Sequence, residues 1–292
     1  MKELKILRPI AKLEDAAFLD PAVKAAKSAV NAVLKPRALR DLLHGVPIGH
    51  PLHPVLILVP AGAWTSSAVL DFVPGTERAS RLLVGVGLLS AIPTAAAGWT
   101  DWSKLHQQQM RVGIVHASAN VTAIALYTAS WLARRRGATL QGKALGLFGF
   151  AAIGVGGYLG GHLSYRQSSG ANHQESLPHR FPGGWHQLGA LADIPDRTLT
   201  RREVAGQALL VYREGSRVDV LSNVCSHLSG PLDEGALVND AEDGPCVECP
   251  WHQSVFALRN GGVVHGPATS PQPAFEARVT GGLLEVQLPV AG

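Results

Sequence analysis

Four long apolar segments in the first half of the chain constrain its fold more than any other feature. They span residues 55–73, 82–99, 112–132 and 144–161, and the second and fourth contain no charged side chain. A membrane-spanning helix needs about 20 predominantly apolar residues, and a lipid-exposed backbone satisfies its hydrogen bonds only as a helix or a closed barrel. Because short polar loops join the segments, the sequence predicts an all-α bundle of four transmembrane helices over residues 53–165.

The distribution of basic residues predicts how this bundle is oriented. An even number of spans puts both chain ends on the same side of the bilayer, and residues 1–52 carry nine Lys or Arg against five Asp or Glu. Cytoplasmic segments are enriched in Lys and Arg, so we expect both ends in the cytoplasm of a bacterial cell. In the alternative, the arginines at 134–136 belong to a twin-arginine export signal, which requires that loop to be inside.

The basic residues of segment 1–52 are expected to meet lipid or protein. Asp20-Pro21 predicts a capped helix start, and apolar residues follow at helical spacing from Val23 to Leu34. Its lysines favour contact with anionic head groups, and packing on a neighbouring protein surface is the other interpretation. The net charge of +4 comes without a basic helix and aromatic platform of the kind that binds nucleic acid, so no nucleic-acid partner is expected.

Ionisable residues at the ends of the spans suggest a site in the membrane. His53 opens span one, His116 lies one turn inside span three and His162 ends span four. Successive spans alternate in direction, so these ends lie on one side, where Asp101 and Asn120 are also expected. Such groups are costly within a membrane and often functional, which leads to the hypothesis of a haem or quinone site. The alternative is that they only solvate the helix ends.

The second half of the chain has a different pattern. Residues 166–182 are polar and show no periodicity, which predicts a tether. From residue 183 to 292, short apolar runs alternate with turn pairs such as Glu214-Gly215 and Gly281-Gly282. Short strands between turn signals are typical of antiparallel β structure. We therefore expect a second domain that is an all-β antiparallel sandwich or barrel.

Two pairs of metal-binding residues lie within this second domain. Cys225-x-His227 is followed, 21 residues later, by Cys249-x-x-His252. One interpretation is a structural zinc held by two Cys and two His, and the other is a Rieske 2Fe–2S cluster, in which two Cys hold one iron and two His the other. Each pair mixes a thiolate with an imidazole, so each loop can supply one ligand to each iron.

The residues around these pairs resemble a known family. The stretches CSHLSGPL, from Cys225, and CPWHQSVF, from Cys249, are similar to the two cluster loops of Rieske ferredoxin-like domains. The resemblance covers about residues 183–288 and implies one 2Fe–2S cluster. It further implies that Cys225 and Cys249 hold the buried iron, and that His227 and His252 hold the outer, redox-active iron.

Several positions around the cluster depart from the family pattern. The extra cysteine that respiratory Rieske proteins carry in each loop is absent, and Trp251 occupies one of the two places. Ser254 is present, but Phe256 replaces a tyrosine, so one hydroxyl remains to bond a cluster sulfur; Pro250, Trp251 and Ser254 are expected to surround the cluster. Hydrogen bonds to the sulfurs tune the potential, and we expect a value low in the Rieske range of about −150 to +300 mV. Gln253 stands where glycine is usual.

The membrane half resembles a second family. His50-Pro-Leu-His53-Pro54 and the stretch from Gly160 to Arg166 are similar to the opening and closing motifs of a four-helix bacterial membrane domain of uncharacterised function. This resemblance covers about residues 44–166 and implies no known chemistry.

Together these features predict a membrane-anchored electron carrier. It would pass one electron at a time between donor and acceptor proteins or a quinone, with the lipid bilayer as its other partner. A terminal oxygenase is not expected, because the β domain uses all 110 residues from 183 onward and leaves none for a mononuclear iron site. A redox sensor or scaffold, and a structural zinc module, are the alternatives.

Overall fold

The computed structural model describes residues 12–289, which form two compact units. One comprises the chain up to Leu39 together with Pro51–Ser169, and the other comprises Arg40–His50 together with the chain from Gly170 onward. The helices are α1 Asp20–Val33, α2 Arg37–His44, α3 Leu52–Leu56, α4 Leu58–Leu70, α5 Glu77–Trp102, α6 Gln107–Arg135, α7 Thr139–Gly161 and α8 Leu177–Arg180. Shorter helical turns are Leu13–Asp15, Ala17–Leu19, Val46–Ile48, His162–Arg166, Leu191–Asp193 and Leu232–Glu234.

The first unit contains the four predicted spans. Helices long and apolar enough to cross a membrane run over Leu52–Leu70, Glu77–Trp102, Gln107–Arg135 and Thr139–Arg166. The first span breaks between α3 and α4, because Pro60 has no N–H to donate to the carbonyl group of Leu56. The predicted four-helix architecture is therefore confirmed.

A buried ion pair joins the spans at one end of the bundle. The Arg134 guanidinium donates to both carboxylate oxygens of Asp71 at 2.7 and 2.5 Å. Arg134 also donates to the Oγ atoms of Ser80 and Ser130 and to the carbonyl oxygen of Gly142. The side chains of Arg134 and Asp71 are only 3% and 5% exposed. One arginine of the predicted basic loop thus lies inside the bundle and connects all four spans.

The N-terminal segment is held to the same unit by charged contacts. Helix α1 begins at Asp20, as predicted, but the Asp20 side chain does not cap it. Its carboxylate instead accepts hydrogen bonds from Arg111 and Gln107, which lower the pKa of Asp20 to about 2. Val23 is buried, whereas Phe18 and Val33 are exposed. Asp20 therefore fastens the helix to α6 rather than stabilising its first turn.

The second unit is an antiparallel β domain, as predicted. The strands are β1 His186–Ala190, β2 Thr200–Val204, β3 Gln207–Glu214, β4 Arg217–Ser222, β5 Ala236–Asp240, β6 Gly244–Glu248, β7 Val255–Ala257, β8 Val263–His265, β9 Ala274–Thr280 and β10 Leu283–Gln287. They form a six-stranded sheet in the order β1-β10-β9-β4-β3-β2 and a four-stranded sheet in the order β5-β6-β7-β8. One hydrophobic cluster packs Leu210 and Tyr212 with Cys225, Cys249 and Phe256.

Part of the predicted tether is packed into this β domain. Leu177 and Phe181 are 1% and 7% exposed and belong to its core, where the Phe181 ring centre lies 4.9 Å from that of Phe275. Gln174 is also buried and accepts a hydrogen bond from Ser222. The segment is too polar to show periodicity, yet two apolar side chains are enough to anchor it. Residues 170–182 therefore differ from the free linker that their composition suggests.

A segment far away in sequence also belongs to the β domain. Asp41, in α2, accepts hydrogen bonds from His265 Nδ1 at 2.8 Å and from the Gly266 N–H at 2.9 Å. His44 and Val46 lie against Gly266, where a Cβ atom would come within 3.1 Å of each. This strap, defined as Arg40–His50, supports the turn that follows β8.

We predict that Asp71→Asn destabilises the membrane unit. The substitution leaves the buried Arg134 guanidinium without its counter-charge, and breaking a buried pair in this way costs about 3–5 kcal/mol. Thermal unfolding in detergent should show a clearly lower midpoint for this variant. The matched control is Glu77→Gln, which changes an exposed carboxylate a few residues after Asp71 in the sequence. Equal midpoints for the two variants would contradict the role given to the ion pair.

Candidate metal centre

Two loops of the β domain carry the predicted ligands and share one backbone geometry. In the first loop, Cys225 O accepts from Ser229 N at 2.9 Å, and Cys225 N donates to Gly230 O at 2.8 Å. In the second loop, Cys249 O accepts a hydrogen bond from Gln253 N at 3.0 Å, and Cys249 N donates to Ser254 O at 2.8 Å. Each loop is therefore a closed turn that starts at its cysteine. The turns hold each cysteine and its histidine together within a few residues.

The fifth residue of each turn adopts a left-handed backbone. Ser229 has φ of 64° and Gln253 has φ of 67°. This conformation costs a non-glycine residue roughly 1–2 kcal/mol. It explains why glycine is usual at the position of Gln253, and it shows that the turn forms with glutamine there.

The four predicted ligands form two pairs. The two thiols are hydrogen-bonded to each other and are 1% and 2% exposed, in Cys225 and Cys249. The rings of His227 and His252 have centres 5.1 Å apart at an angle of 84°, and both residues are half-buried. Among residues 12–289, no three His, Cys, Asp or Glu side chains converge to hold one metal ion. A buried sulfur pair beside an outer imidazole pair fits two irons with different ligands.

The thiol pair is electrostatically asymmetric. The hydrogen bond to Cys249, together with burial, raises the pKa of the Cys225 thiol well above its usual value. The same hydrogen bond lowers the pKa of Cys249 to about 7. Because its pKa is the lower of the two, the Cys249 thiol ionises more readily than the Cys225 thiol. Thiolate is the form in which cysteine binds a metal.

The space around the thiols is closely filled. A Cβ atom at Gly230 would lie 2.8 Å from Cys249 Sγ and 3.2 Å from the Trp251 ring. Phe256, at the position of the tyrosine in the family pattern, is fully buried in the cluster of hydrophobic residues that includes both cysteines. Trp251 is 49% exposed and Pro250 is also exposed, so both lie on the outer side of the second loop.

Ser254 has the hydrogen bonding expected of a residue beside the cluster. It is 1% exposed, and its Oγ accepts the N–H of Ala268 at 2.9 Å. A hydroxyl that accepts this bond still has its own proton to donate. The Ser254 hydroxyl can therefore donate a hydrogen bond to an acceptor beside the second loop.

Residues that the sequence did not indicate hold the first loop in place. Gln272 is 2% exposed and accepts from Ser226 N at 2.7 Å, while its Nε2 donates to Ser222 O and Val224 O at 3.0 and 2.7 Å. The backbone N–H of His173 donates to Ser226 O, and the Nδ1 atom of its ring lies 3.3 Å from Ser229 Oγ. No spacing rule marks Gln272 or His173, because they are more than 40 residues from the loop.

Cys246, the third cysteine of the chain, lies in strand β6. It is fully buried, donates to Gly244 O, and burial raises the pKa of its thiol to about 11. It packs with Val255 and Ala257 of the neighbouring strand.

The structure brings together some of the predicted membrane residues and separates others. The His53 and His116 rings have centres 6.4 Å apart, and Asn120 Nδ2 lies 3.2 Å from His116 Nε2. His162 instead pairs with Glu14, at 2.9 Å. Asp101 is half-buried near the end of α5.

We predict that Gly230→Ala reduces metal binding at the two loops. The added Cβ would lie too close to Cys249 Sγ, which would have to move away from its position beside Cys225. Iron and acid-labile sulfide per chain should fall severalfold. Gly183→Ala is the matched control, since nothing lies within 4 Å of its added Cβ. Full iron and sulfide in Gly230→Ala would show that the loops have more freedom than this packing implies.

Comparison with known families supports both halves of this description. Residues 184–276 match the family described as Rieske [2Fe-2S] domain. Residues 49–173 match the family described as Predicted membrane protein (DUF2231).

Individual relatives match the β domain. The chain is 33% identical over 104 residues to the anthranilate 1,2-dioxygenase ferredoxin subunit of Burkholderia cepacia, a match that covers 36% of this chain and 92% of that protein. It is 31% identical over 101 residues to the 3-phenylpropionate/cinnamic acid dioxygenase ferredoxin subunit of Escherichia coli K12, with coverage of 35% and 91%. The solved ferredoxin of carbazole 1,9a-dioxygenase from Nocardioides aromaticivorans IC177 is 29% identical, with a TM-score of 0.33, and covers 37% of this chain and all of its own. Through its C-terminal β domain, which follows a membrane domain of the DUF2231 type, the chain belongs to the Rieske [2Fe-2S] family.

Proposed function

We propose that this protein carries one electron at a time between a redox partner protein and an acceptor or donor in the membrane. The proposal rests on the difference in burial between the two predicted cysteine ligands and the two predicted histidine ligands. The thiols of Cys225 and Cys249 are buried, whereas the His227 and His252 rings are half-buried at the surface of the domain. An electron can therefore enter and leave on the histidine side without any rearrangement of the sulfur side.

The residues of the two loops have separate tasks in this function. Cys225 and Cys249 would hold the inner iron, and His227 and His252 the outer iron, of one 2Fe–2S cluster. When bound, the cluster takes up and releases a single electron. Trp251 is exposed next to His252, with ring centres 6.4 Å apart, and so offers an aromatic contact to a docking partner.

The relatives suggest the kind of partner. The curated relatives are ferredoxin subunits of dioxygenases. A further solved structure, 30% identical, is a complex of reduced oxygenase and oxidized ferredoxin. We propose that this protein likewise exchanges electrons with a redox protein, and that its membrane unit supplies the second partner, a haem or a quinone.

Both chain ends are proposed to lie in the cytoplasm. The basic N-terminal segment supports this orientation, and so does the cluster itself, because free thiolate ligands persist best in a reducing compartment. A reporter fused to residue 292 that is active only inside the cell would test it. The same reporter active outside would favour the export alternative.

We predict that Ser254→Ala lowers the midpoint potential of the cluster. In the unmodified protein, a hydrogen bond from the Ser254 hydroxyl would stabilise the reduced cluster by about 1–2 kcal/mol. Its loss in the variant corresponds to a decrease in potential of roughly 40–90 mV for a one-electron couple. A redox titration followed by EPR measures the shift. Ser216→Ala, an exposed serine in the β3–β4 turn, is the control. An unchanged potential in Ser254→Ala would exclude a hydrogen bond to the cluster.

We also predict that the purified full-length protein turns over as a carrier. Reduced by an NADH-linked ferredoxin reductase, its cluster should be reoxidised repeatedly by a quinone or a haem protein, as followed by stopped-flow absorbance. Cys249→Ser is the control, because it removes a ligand and should abolish the signal. A cluster that is reduced once and then stays reduced with every acceptor tried would favour a sensor instead.

A further inference from the structure

Two histidines of the membrane unit have their protons placed by the backbone. His53 Nδ1 lies 2.9 Å from Thr94 O, and His116 Nδ1 lies 2.7 Å from Gly156 O. A carbonyl oxygen only accepts hydrogen bonds, so each Nδ1 must carry the hydrogen. Each neutral imidazole therefore has its lone pair on Nε2. A backbone carbonyl on the far ring nitrogen is the arrangement that orients histidines that bind metals.

The separation of the two rings suits a shared metal. Their centres lie 6.4 Å apart, with the planes at 82°. A metal lies about 2.0–2.1 Å from an imidazole nitrogen, so two imidazoles on opposite sides of one metal have ring centres roughly 6 Å apart. The pair is therefore spaced as two opposite ligands would be.

Glycines of two neighbouring spans make room for the rings. A Cβ atom at Gly98 of α5 would lie 2.9 Å from the His53 ring, and one at Gly160 of α7 would lie 3.2 Å from His116. A Cβ at Gly156 would lie 2.6 Å from Asn120. Helices α5 and α7 can approach the two imidazoles this closely only because these positions have no side chain.

Asn120 is a positioning residue rather than a third ligand. Its Nδ2 donates to His116 O at 2.9 Å and lies 3.5 and 3.2 Å from Nδ1 and Nε2 of the same ring. The amide nitrogen donates to this residue and has no lone pair to offer a metal, so it orients the His116 ring. A metal on Nε2 would take the place of the 3.2 Å contact with Asn120 Nδ2.

The number of ligands selects the kind of metal centre. No three His, Cys, Asp or Glu side chains within residues 12–289 could hold one ion, whereas a protein-bound zinc takes three or four protein ligands. Haem iron needs only axial ligands from the protein, and bundles of four helices hold such cofactors between facing helices. We propose that His53 and His116 are the two axial ligands of a haem in the membrane unit.

This site deepens the proposed function and rests on it for its role. In that role, a ferric haem held by His53 and His116 would accept one electron from the reduced cluster held by the two loops, so that the haem is reduced and the cluster is oxidised. No proton has to move at either histidine, because both remain neutral ligands.

The test is the absorption spectrum of the full-length protein, produced in cells supplied with iron and a haem precursor and purified in detergent. We expect a Soret band, sharpened visible bands on reduction, and about one haem per chain by the pyridine haemochrome assay. His53→Ala and His116→Ala should each lose at least tenfold in haem content. The cluster EPR signal should persist in both variants, which shows that they fold.

Two control variants define the site. His50→Ala changes a neighbouring histidine of the same motif and should keep its haem. His162→Ala should keep it as well, because His162 pairs with Glu14. Loss of haem in His162→Ala alone would overturn the assignment of the pair.

Other outcomes separate this proposal from the function on which it rests. No Soret band, even after hemin is added to the purified protein, would overturn the haem site. Stoichiometric copper that disappears in both His53→Ala and His116→Ala would overturn it in favour of a metal ion. Cys249→Ser should lose the cluster and keep the Soret band. A haem that is present but is never reduced by the cluster would leave the site standing and refute electron transfer between them.

Discussion

The candidate cluster site depends on two short turns, each of which holds a cysteine and a histidine close together. Each turn is closed by two backbone hydrogen bonds at its cysteine, and each has a left-handed residue, Ser229 or Gln253, as its fifth member. Because the turns are alike, they meet thiol to thiol on the inside and imidazole to imidazole on the outside. The two antiparallel sheets and Gln272 hold them in that arrangement.

The membrane unit is organised by a different constraint, the cost of charge away from water. Arg134 and Asp71 are buried together, and every N–H of the guanidinium has an acceptor in one of the four spans. His53 and His116 meet the constraint as neutral rings whose Nδ1 protons are taken up by carbonyl oxygens. Each of these four side chains therefore has a partner inside the bundle that compensates its charge or its polar hydrogen.

Comparison of sequence and structure shows which signals are local. The four spans and the antiparallel strands were predicted because apolar length and alternation are properties of neighbouring residues. The buried positions of Leu177, Phe181 and the Arg40–His50 strap were not, because their partners lie far away in the chain. For the same reason Asp20 was expected to cap its own helix, whereas its carboxylate binds Arg111.

The sequence by itself predicts the ligand set, since Cys225, His227, Cys249 and His252 follow a spacing that few sites share, and it predicts the four apolar helices that the structure contains. Only the tertiary structure decided which ligands pair and which membrane histidines meet. The order of the spans predicts His53, His116 and His162 on one side of the bilayer. In the structure His162 pairs with Glu14, and the ring centres of the other two lie 6.4 Å apart. Rotation of a helix about its axis depends on all of its neighbours, and no local pattern in the chain encodes it.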